Sequence, residues 1–241
     1  MAKKGEKNHL KRINAPKVRK TARKGDTWSV TTSPGPHEAE KSIPLAVALR
    51  ENLGLAQTLK EARKILGKGN ISVDGKIRKN PNFPLGFMDV LNVEKADQTW
   101  RVLYDDKGYL VLNKVDDEED FKLGKVLDKH PYKGGKYQLS LHDGKSIIGD
   151  FEDIEVGETV RLTLPDLELS DSFSCEEGNK VLIIGGTNVG KVGEIEEVFG
   201  GEGPSPTQVE ISSNGEKFQS PEKYVFVIGE DSSVISLEEG S

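Results

Sequence analysis

A single cysteine, Cys175, stands in 241 residues. That excludes an internal disulfide framework and any thiolate metal cage made by one chain, and leaves Cys175 to be read as a small buried hydrophobe. The four histidines, His9, His37, His130 and His142, fall at none of the spacings that bring ligands onto one ion. No structural or catalytic metal and no cofactor is therefore expected. No eighteen consecutive residues are apolar, and the basic N-terminus is not followed by an apolar segment. Neither a membrane span nor a secretory leader is read, so the expected location is the cytoplasm.

Charge, by contrast, is abundant at 31% of residues, beside 34% hydrophobic residues and 26 glycines. This mix suits several small, charge-coated cores better than one large one. The net charge of −6 conceals two opposed halves. Residues 1–105 hold 21 basic and 11 acidic side chains, whereas residues 106–241 hold 13 and 29. A polyanion would bind the first half, where Lys and Arg displace the counterions condensed on phosphates. The densest stretch is residues 1–24, with ten cations, Lys3, Lys4, Lys7, Lys11, Arg12, Lys17, Arg19, Lys20, Arg23 and Lys24, against Glu6 alone. Together with His9 they form a candidate nucleic-acid arm. Interrupted by Pro16 and almost free of large apolar groups, it is expected to order on an acidic partner.

Residues 31–37, with Ser33-Pro34-Gly35-Pro36, read as a linker or rigid turn closing the unit 1–41. Ser42 is read as an N-cap with Pro44 in the first turn, and Leu45, Leu49 and Leu53 mark one helix face as far as Gly54. Thr58-Leu59-Lys60-Glu61 is a capping box. It opens a second helix whose Leu59, Ala62, Ile65 and Leu66 share a face, while Lys60, Arg63, Lys64 and Lys68 project from the opposite one. Like charges so placed repel without a partner. Around Asp74-Gly75, a type I′ turn pair, residues 70–73 and 76–79 alternate in period two. Ile71, Val73 and Ile77 are expected inward, and Lys76, Arg78 and Lys79 extend the cationic surface. A strand at 90–93 completes the unit 42–98.

Strands at 100–104, 109–115, 137–141 and 159–164 suggest a central antiparallel β domain over 99–172. Four more, at 180–184, 194–198, 208–211 and 224–228, with Asn214-Gly215 as a turn, suggest a small SH3-like barrel over 173–228. An acidic tail, 229–241, is expected to be loosely held. The fold class is thus α+β, mostly β and multidomain.

Gly185-Gly186-Thr187-Asn188-Val189-Gly190-Lys191 mimics a phosphate-binding P-loop, but Val192 stands where the metal-binding Ser or Thr belongs and a strand follows instead of a helix. A Gly-rich β-turn is the reading. The acids at 116–120 lack the glycine and alternation of a calcium loop and are taken as solvated. His142-Asp143 has no nucleophile nearby, so a structural role is assigned and no catalytic residue is named.

Several segments, in order, carry a family resemblance: His9-Leu10-Lys11-Arg12, Ala15-Pro16, Gly35-Pro36-His37, Pro44-Leu45, Asp74-Gly75-Lys76, Gly86-Phe87-Met88-Asp89-Val90, Tyr104-Asp105, His142-Asp143 and Phe226-Val227-Ile228-Gly229. On these the chain resembles the archaeal and eukaryotic small-subunit ribosomal proteins of the S4e family. The resemblance implies an S4-type, alpha-L RNA-binding module from residue 42 to about 95. It implies a KOW motif over about 178–205, with Gly185, Gly186, Asn188, Gly190, Lys191 and Gly193 in its loop. It further implies a non-catalytic protein of the cytoplasmic ribosome, acting in translation and binding small-subunit ribosomal RNA and neighbouring ribosomal proteins, with no membrane or small-molecule partner. An RNA-modifying enzyme, or an accessory protein carrying the same module, is the alternative. The acidic second half departs from the overall basicity that the resemblance implies.

Overall fold

The computed structural model describes residues 9–22, 24–116, 118–200, 207–213, 215–230 and 232–237. Ile43, which precedes a proline, is kept out of the helical region and instead pairs as a strand, Ile43–Pro44 against Pro84–Leu85. The first helix therefore starts at Leu45 with Pro44 in the capping position, two residues later than the Ser42 cap implies. After Leu45–Val47 it widens into a π-helical turn, Ala48–Asn52, closed by the Leu53 amide on the Ala48 carbonyl at 2.9 Å. The extra residue in that turn shifts the phase, so Leu45 and Leu49 are fully buried while Leu53 is only partly covered.

The second helix runs Leu59–Gly67, and its capping box is made: Thr58 Oγ1 accepts from the Glu61 amide at 3.2 Å and Glu61 Oε2 from the Thr58 amide at 3.3 Å. Ala62 and Leu66 are buried on its inner face. Asp74 and Gly75 both take positive φ, +50° and +71°, as a type I′ turn requires. The register pairs Ser72 with Ile77 and Val73 with Lys76. Directly opposed residues share a sheet face, so Ile77 lies with Ser72 and away from buried Ile71 and Val73. Ile77 is accordingly 57% exposed, contrary to the inward orientation read from alternation alone.

This hairpin belongs to a five-stranded antiparallel sheet in the order Lys76–Ile77, Ile71–Val73, Val90–Val93, Gln98–Tyr104, Leu110–Val115. One sheet thus holds strands from both sides of the boundary read between residues 98 and 99. The central sheet has the order Ser146–Gly149, Tyr137–Leu141, Phe121–Pro131, Thr159–Thr163, Leu169–Phe173. It encloses its own small core of Val126, Leu139, Leu141, Ile147, Ile154, Val160 and Leu162. The third sheet, also antiparallel, has the order Glu216–Pro221, Gln208–Ser213, Val192–Phe199, Lys180–Ile183, Val225–Gly229. Apolar residues of the first and third units form one continuous core, joined by the Phe87 ring edge-on to Phe226 at 4.9 Å and stacked on Tyr104 at 5.4 Å.

Three local expectations change. Glu118, in the acidic run, is buried, lies 3.3 Å from Arg101, and accepts from the Ser236 amide at 2.7 Å. The tail residues 232–237 are therefore docked, with Ile235 buried, because Glu118 and the core offer them partners. Cys175 is only partly buried, and burial pushes its thiol up to about 11. Asp117 and Asn214 lie outside the described residues. Among the described residues no helix is long and apolar enough to cross a membrane.

Candidate nucleic-acid interface

Because Ala62 and Leu66 fix one face of the second helix inward, Lys60, Arg63, Lys64 and Lys68 are all exposed. The hairpin adds exposed Lys76 and Lys79. A Cβ built on Gly69, just past the helix, would lie 3.6 Å from Lys79 Cε and 3.7 Å from Ile77 Cγ2, so the hairpin cations flank the helix C-terminus. None of these six cations forms an ion pair among the described residues. Arg78 differs: its guanidinium lies 4.5 Å over the Phe83 ring and is partly buried. The surface is a cluster of uncompensated positive charge on a rigid frame, with exposed Ile77 at its edge. Such a surface suits phosphates, with an apolar contact beside them.

The arm divides. Lys3, Lys4, Lys7 and Arg23 lie outside the described residues. His9, Lys11, Lys17, Lys20 and Lys24 are exposed, and His9 meets the half-exposed Trp28 edge-on at 5.6 Å. Arg12 and Arg19 turn inward, contrary to their reading as nucleic-acid contacts. Arg12 Nη2 donates to Glu51 at 2.7 Å, and Arg19 donates to the carbonyls of Ser42, Val30 and Ala39 at 3.0, 3.0 and 3.4 Å. Burial pushes the Arg19 guanidinium down to about 10, opposed by Glu51, so it stays charged at neutral pH. These two arginines pin the arm: Leu10–Lys11 pairs with Trp28–Ser29, and Arg19 bridges to Leu110. Within residues 9–22 these two guanidinium groups are held by protein acceptors.

Beneath the interface lies a buried ionic clasp that no local sequence signal announces. Lys122 is fully buried, and its Nζ lies 2.9 Å from Asp74, 3.1 Å from Asp89 and 2.9 Å from Asp143. Lys145 bridges Asp74 and Asp143 from the rim. The three carboxylates approach within 4.8 Å of one another, a spacing suited to a cation, and the Lys122 ammonium already stands among them. Burial alone would push Lys122 down, but Asp89, Asp74 and Asp143 together hold it well above its usual value. Burial likewise works to raise Asp89 and Asp143, yet Lys122 holds both below the usual carboxylate range. His37 Nε2 donates to Asp89 at 2.9 Å, and its ring lies so close over Gly86 that a Cβ there would come within 2.2 Å. The clasp therefore ties the hairpin turn, the Gly86–Asp89 turn, the central strand and the His142-Asp143 turn together.

His142 takes the structural role expected of it. Its Nδ1 accepts from the Lys125 amide at 3.1 Å, so Nε2 carries the proton and donates to the Phe87 carbonyl at 3.3 Å. Burial, and secondarily the charge of Lys122, pushes its pKa down to about 4. Because the unfolded chain takes up this proton near pH 6.5, stability falls as pH drops from about 6.5 to about 4, by at most about 3 kcal/mol. Asp89 and Asp143 contribute stability above the ordinary carboxylate range, and that contribution disappears only on further acidification. Urea midpoints measured from pH 7 to pH 4 check this; a flat profile would contradict a neutral, buried His142.

Residues 184–191 form the turn between the strands Lys180–Ile183 and Val192–Phe199, as read. Gly190 packs on the neighbouring unit: a Cβ there would lie 1.9 Å from the Asp105 carbonyl oxygen. Gly185 faces the Tyr224 ring and Gly193 faces Ile211 in the same way. Lys191 lies 3.8 Å from Glu216 and 5.2 Å over the Phe218 ring. Gly185, Gly190 and Gly193 thus serve close internal packing, while Gly186 is exposed and Asn188 is partly buried.

Comparison with known proteins decides the family. The chain is 43% identical over 238 residues to the small ribosomal subunit protein eS4 of Methanosphaera stadtmanae, covering 98% of each. The chain belongs to the ribosomal S4e family. An eS4 of Methanothermobacter thermautotrophicus is 40% identical over the whole of both chains. The crystal structure of the 30S ribosomal protein S4e from Thermoplasma acidophilum superposes with a TM-score of 0.68 at 34% identity, over 79% of this chain and 96% of that one. Family models match the RS4NT (NUC023) domain at residues 4–40, the S4 domain at 43–91 and ribosomal family S4e at 96–169. In this S4e protein the six exposed cations lie within the S4 domain match or on its surface hairpin, and the clasp joins that domain to the S4e segment.

Proposed function

We propose that this chain is a structural constituent of the small ribosomal subunit that grips folded ribosomal RNA through Lys60, Arg63, Lys64, Lys68, Lys76 and Lys79. The exposed cations of the arm, Lys11, Lys17, Lys20 and Lys24, engage the same RNA, as do Lys3, Lys4, Lys7 and Arg23. One observation carries the reading: six like charges stand exposed on one small domain without a counter-ion among the described residues. A fold tolerates such repulsion when a polyanion relieves it. Membership of a family whose relatives are named small ribosomal subunit proteins agrees with it. The protein acts in the cytoplasmic ribosome, beside other small-subunit proteins, and performs no chemistry. The acidic second half faces solvent or those neighbours, and the KOW-type loop contributes at most its outer edge to RNA.

Salt titration of the purified chain on small-subunit RNA tests this. If the six cations each meet a phosphate, they contribute about 4 to 5 to the slope of log affinity against log salt, and the arm adds to that. A response near zero would rule out an electrostatic grip. Cosedimentation with small subunits from a lysate supplies the second readout, and a chain that stays in the supernatant contradicts the assignment.

A further inference from the structure

The strand Phe121–Pro131 is buried as far as Val126 and then leaves the body of the protein: a bulge between Val126 and Asp128 turns Leu127 outward, and residues 130–136 are exposed. The hairpin it forms with Tyr137–Leu141 continues into this projection, pairing His130 with Gln138 and Pro131 with Tyr137, and the Tyr132 amide donates to the Lys136 carbonyl at 2.7 Å. Its shaft is braced by Lys129, whose Nζ donates to the Glu152 and Ile154 carbonyls at 2.7 and 2.8 Å and lies 4.6 Å over the Tyr137 ring. His130 is held by Asp128 at 2.8 Å. Lys129 is thus committed within the protein, and the lysines at the tip form no ion pair among the described residues.

We propose that this tip, residues 132–136, is a second contact to ribosomal RNA, an inference that rests on the function proposed above. Lys133 and Lys136 are exposed and form no ion pair among the described residues. From Lys129 to His142 there is no Asp or Glu, although the half of the chain from residue 106 onward carries 29 acids against 13 bases. The tip is a positive island on an acidic body, so a polyanion is drawn to it while the rest of that half repels one. Gly134 and Gly135 both have φ of +77° with open space where a Cβ would stand, so a phosphate can approach their backbone amides closely. Tyr132 is 47% exposed beside them and offers a face on which an unpaired base stacks. Charge alone would also suit an acidic protein; the glycine pair and the aromatic ring favour RNA.

The full-length chain carrying Lys133→Glu and Lys136→Glu, and separately Tyr132→Ala, is titrated on small-subunit RNA with hydroxyl-radical footprinting. The lysine pair is expected to make the salt slope shallower by about 1.4 to 1.8, two phosphate contacts. It should also erase one cluster of RNA protections while the cluster lost in the Lys60→Glu, Arg63→Glu, Lys64→Glu chain persists. Tyr132→Ala should weaken binding about fivefold or more, the effect of one stacked base. An unchanged thermal transition shows that each variant folds. If the tip variants keep wild-type affinity, slope and footprint while the helix variant loses RNA, the tip proposal is overturned and the function stands. If the helix variant also binds as wild type, the function falls with it. Loss of a neighbouring acidic protein with the RNA footprint intact overturns the tip's assignment to RNA.

Discussion

Changing Lys60, Arg63 and Lys64 together to Glu is expected to weaken binding to small-subunit RNA by about a hundredfold to a thousandfold, at about 1 to 1.4 kcal/mol for each lost charge-assisted contact. The slope of log affinity against log salt should become shallower by about 2 to 3 in the same chain. Folding should survive, because all three side chains are exposed and Glu is a good helix former. Glu near the helix N-terminus also complements its dipole. The inner face that seats the helix, Ala62 and Leu66, is untouched. Filter binding and a thermal transition on the same preparation separate affinity from stability. Undiminished affinity in a folded triple variant would mean that this helix does not face the RNA.

Lys122→Ala is expected to destabilise the chain by about 3 to 5 kcal/mol, one of the largest effects open to a single residue here. Removing the ammonium leaves Asp74, Asp89 and Asp143 buried, with the rim cation Lys145, the His37 contact to Asp89 and backbone amides as their remaining partners. The mechanism is an uncompensated buried charge, not a lost contact, and that distinction can be measured. The difference from wild type should shrink on acidification, because the variant's carboxylates can then protonate and become neutral. Urea unfolding of both chains from pH 7 to pH 4 checks this. A variant within about 1 kcal/mol of wild type at pH 7 would show that the clasp relaxes or hydrates when opened. RNA affinity of the folded fraction should change little, since Lys122 lies beneath the binding surface.

The two predictions concern the same residue type in opposite settings, and the contrast shows what the molecule requires of its lysines. On the second helix, charges without an ion-pair partner among the described residues are the proposed RNA contacts. In the core a charge with three partners fixes the geometry between the S4 domain and the segment that follows it. Arg12 and Arg19 belong to the second kind although they sit in the most cationic stretch of the chain.

Local signals in the amino-acid sequence determined a good part of this. The Thr58 and Glu61 capping box, the Asp74-Gly75 turn and the spacing of Lys60, Arg63, Lys64 and Lys68 each depend on residues within a turn or two of one another, so each was legible without the fold. Several strands with alternating apolar residues were legible; Phe121–Pro131, Ser146–Gly149, Leu169–Phe173 and Glu216–Pro221 were not, and in Phe121–Pro131 the alternation fails at Lys125, which stands where an apolar residue is due. Tertiary structure alone decided which cations turn inward. Lys122 meets Asp74 and Asp89 across 48 and 33 residues of chain, and Lys125 donates to the Glu222 and Val225 carbonyls across 97 and 100. Ile77 was placed inward by alternation, and the hairpin register turned it out. A side chain's charge is a property of its own atoms, but whether that charge is neutralised depends on what the fold brings within about 4 Å of it.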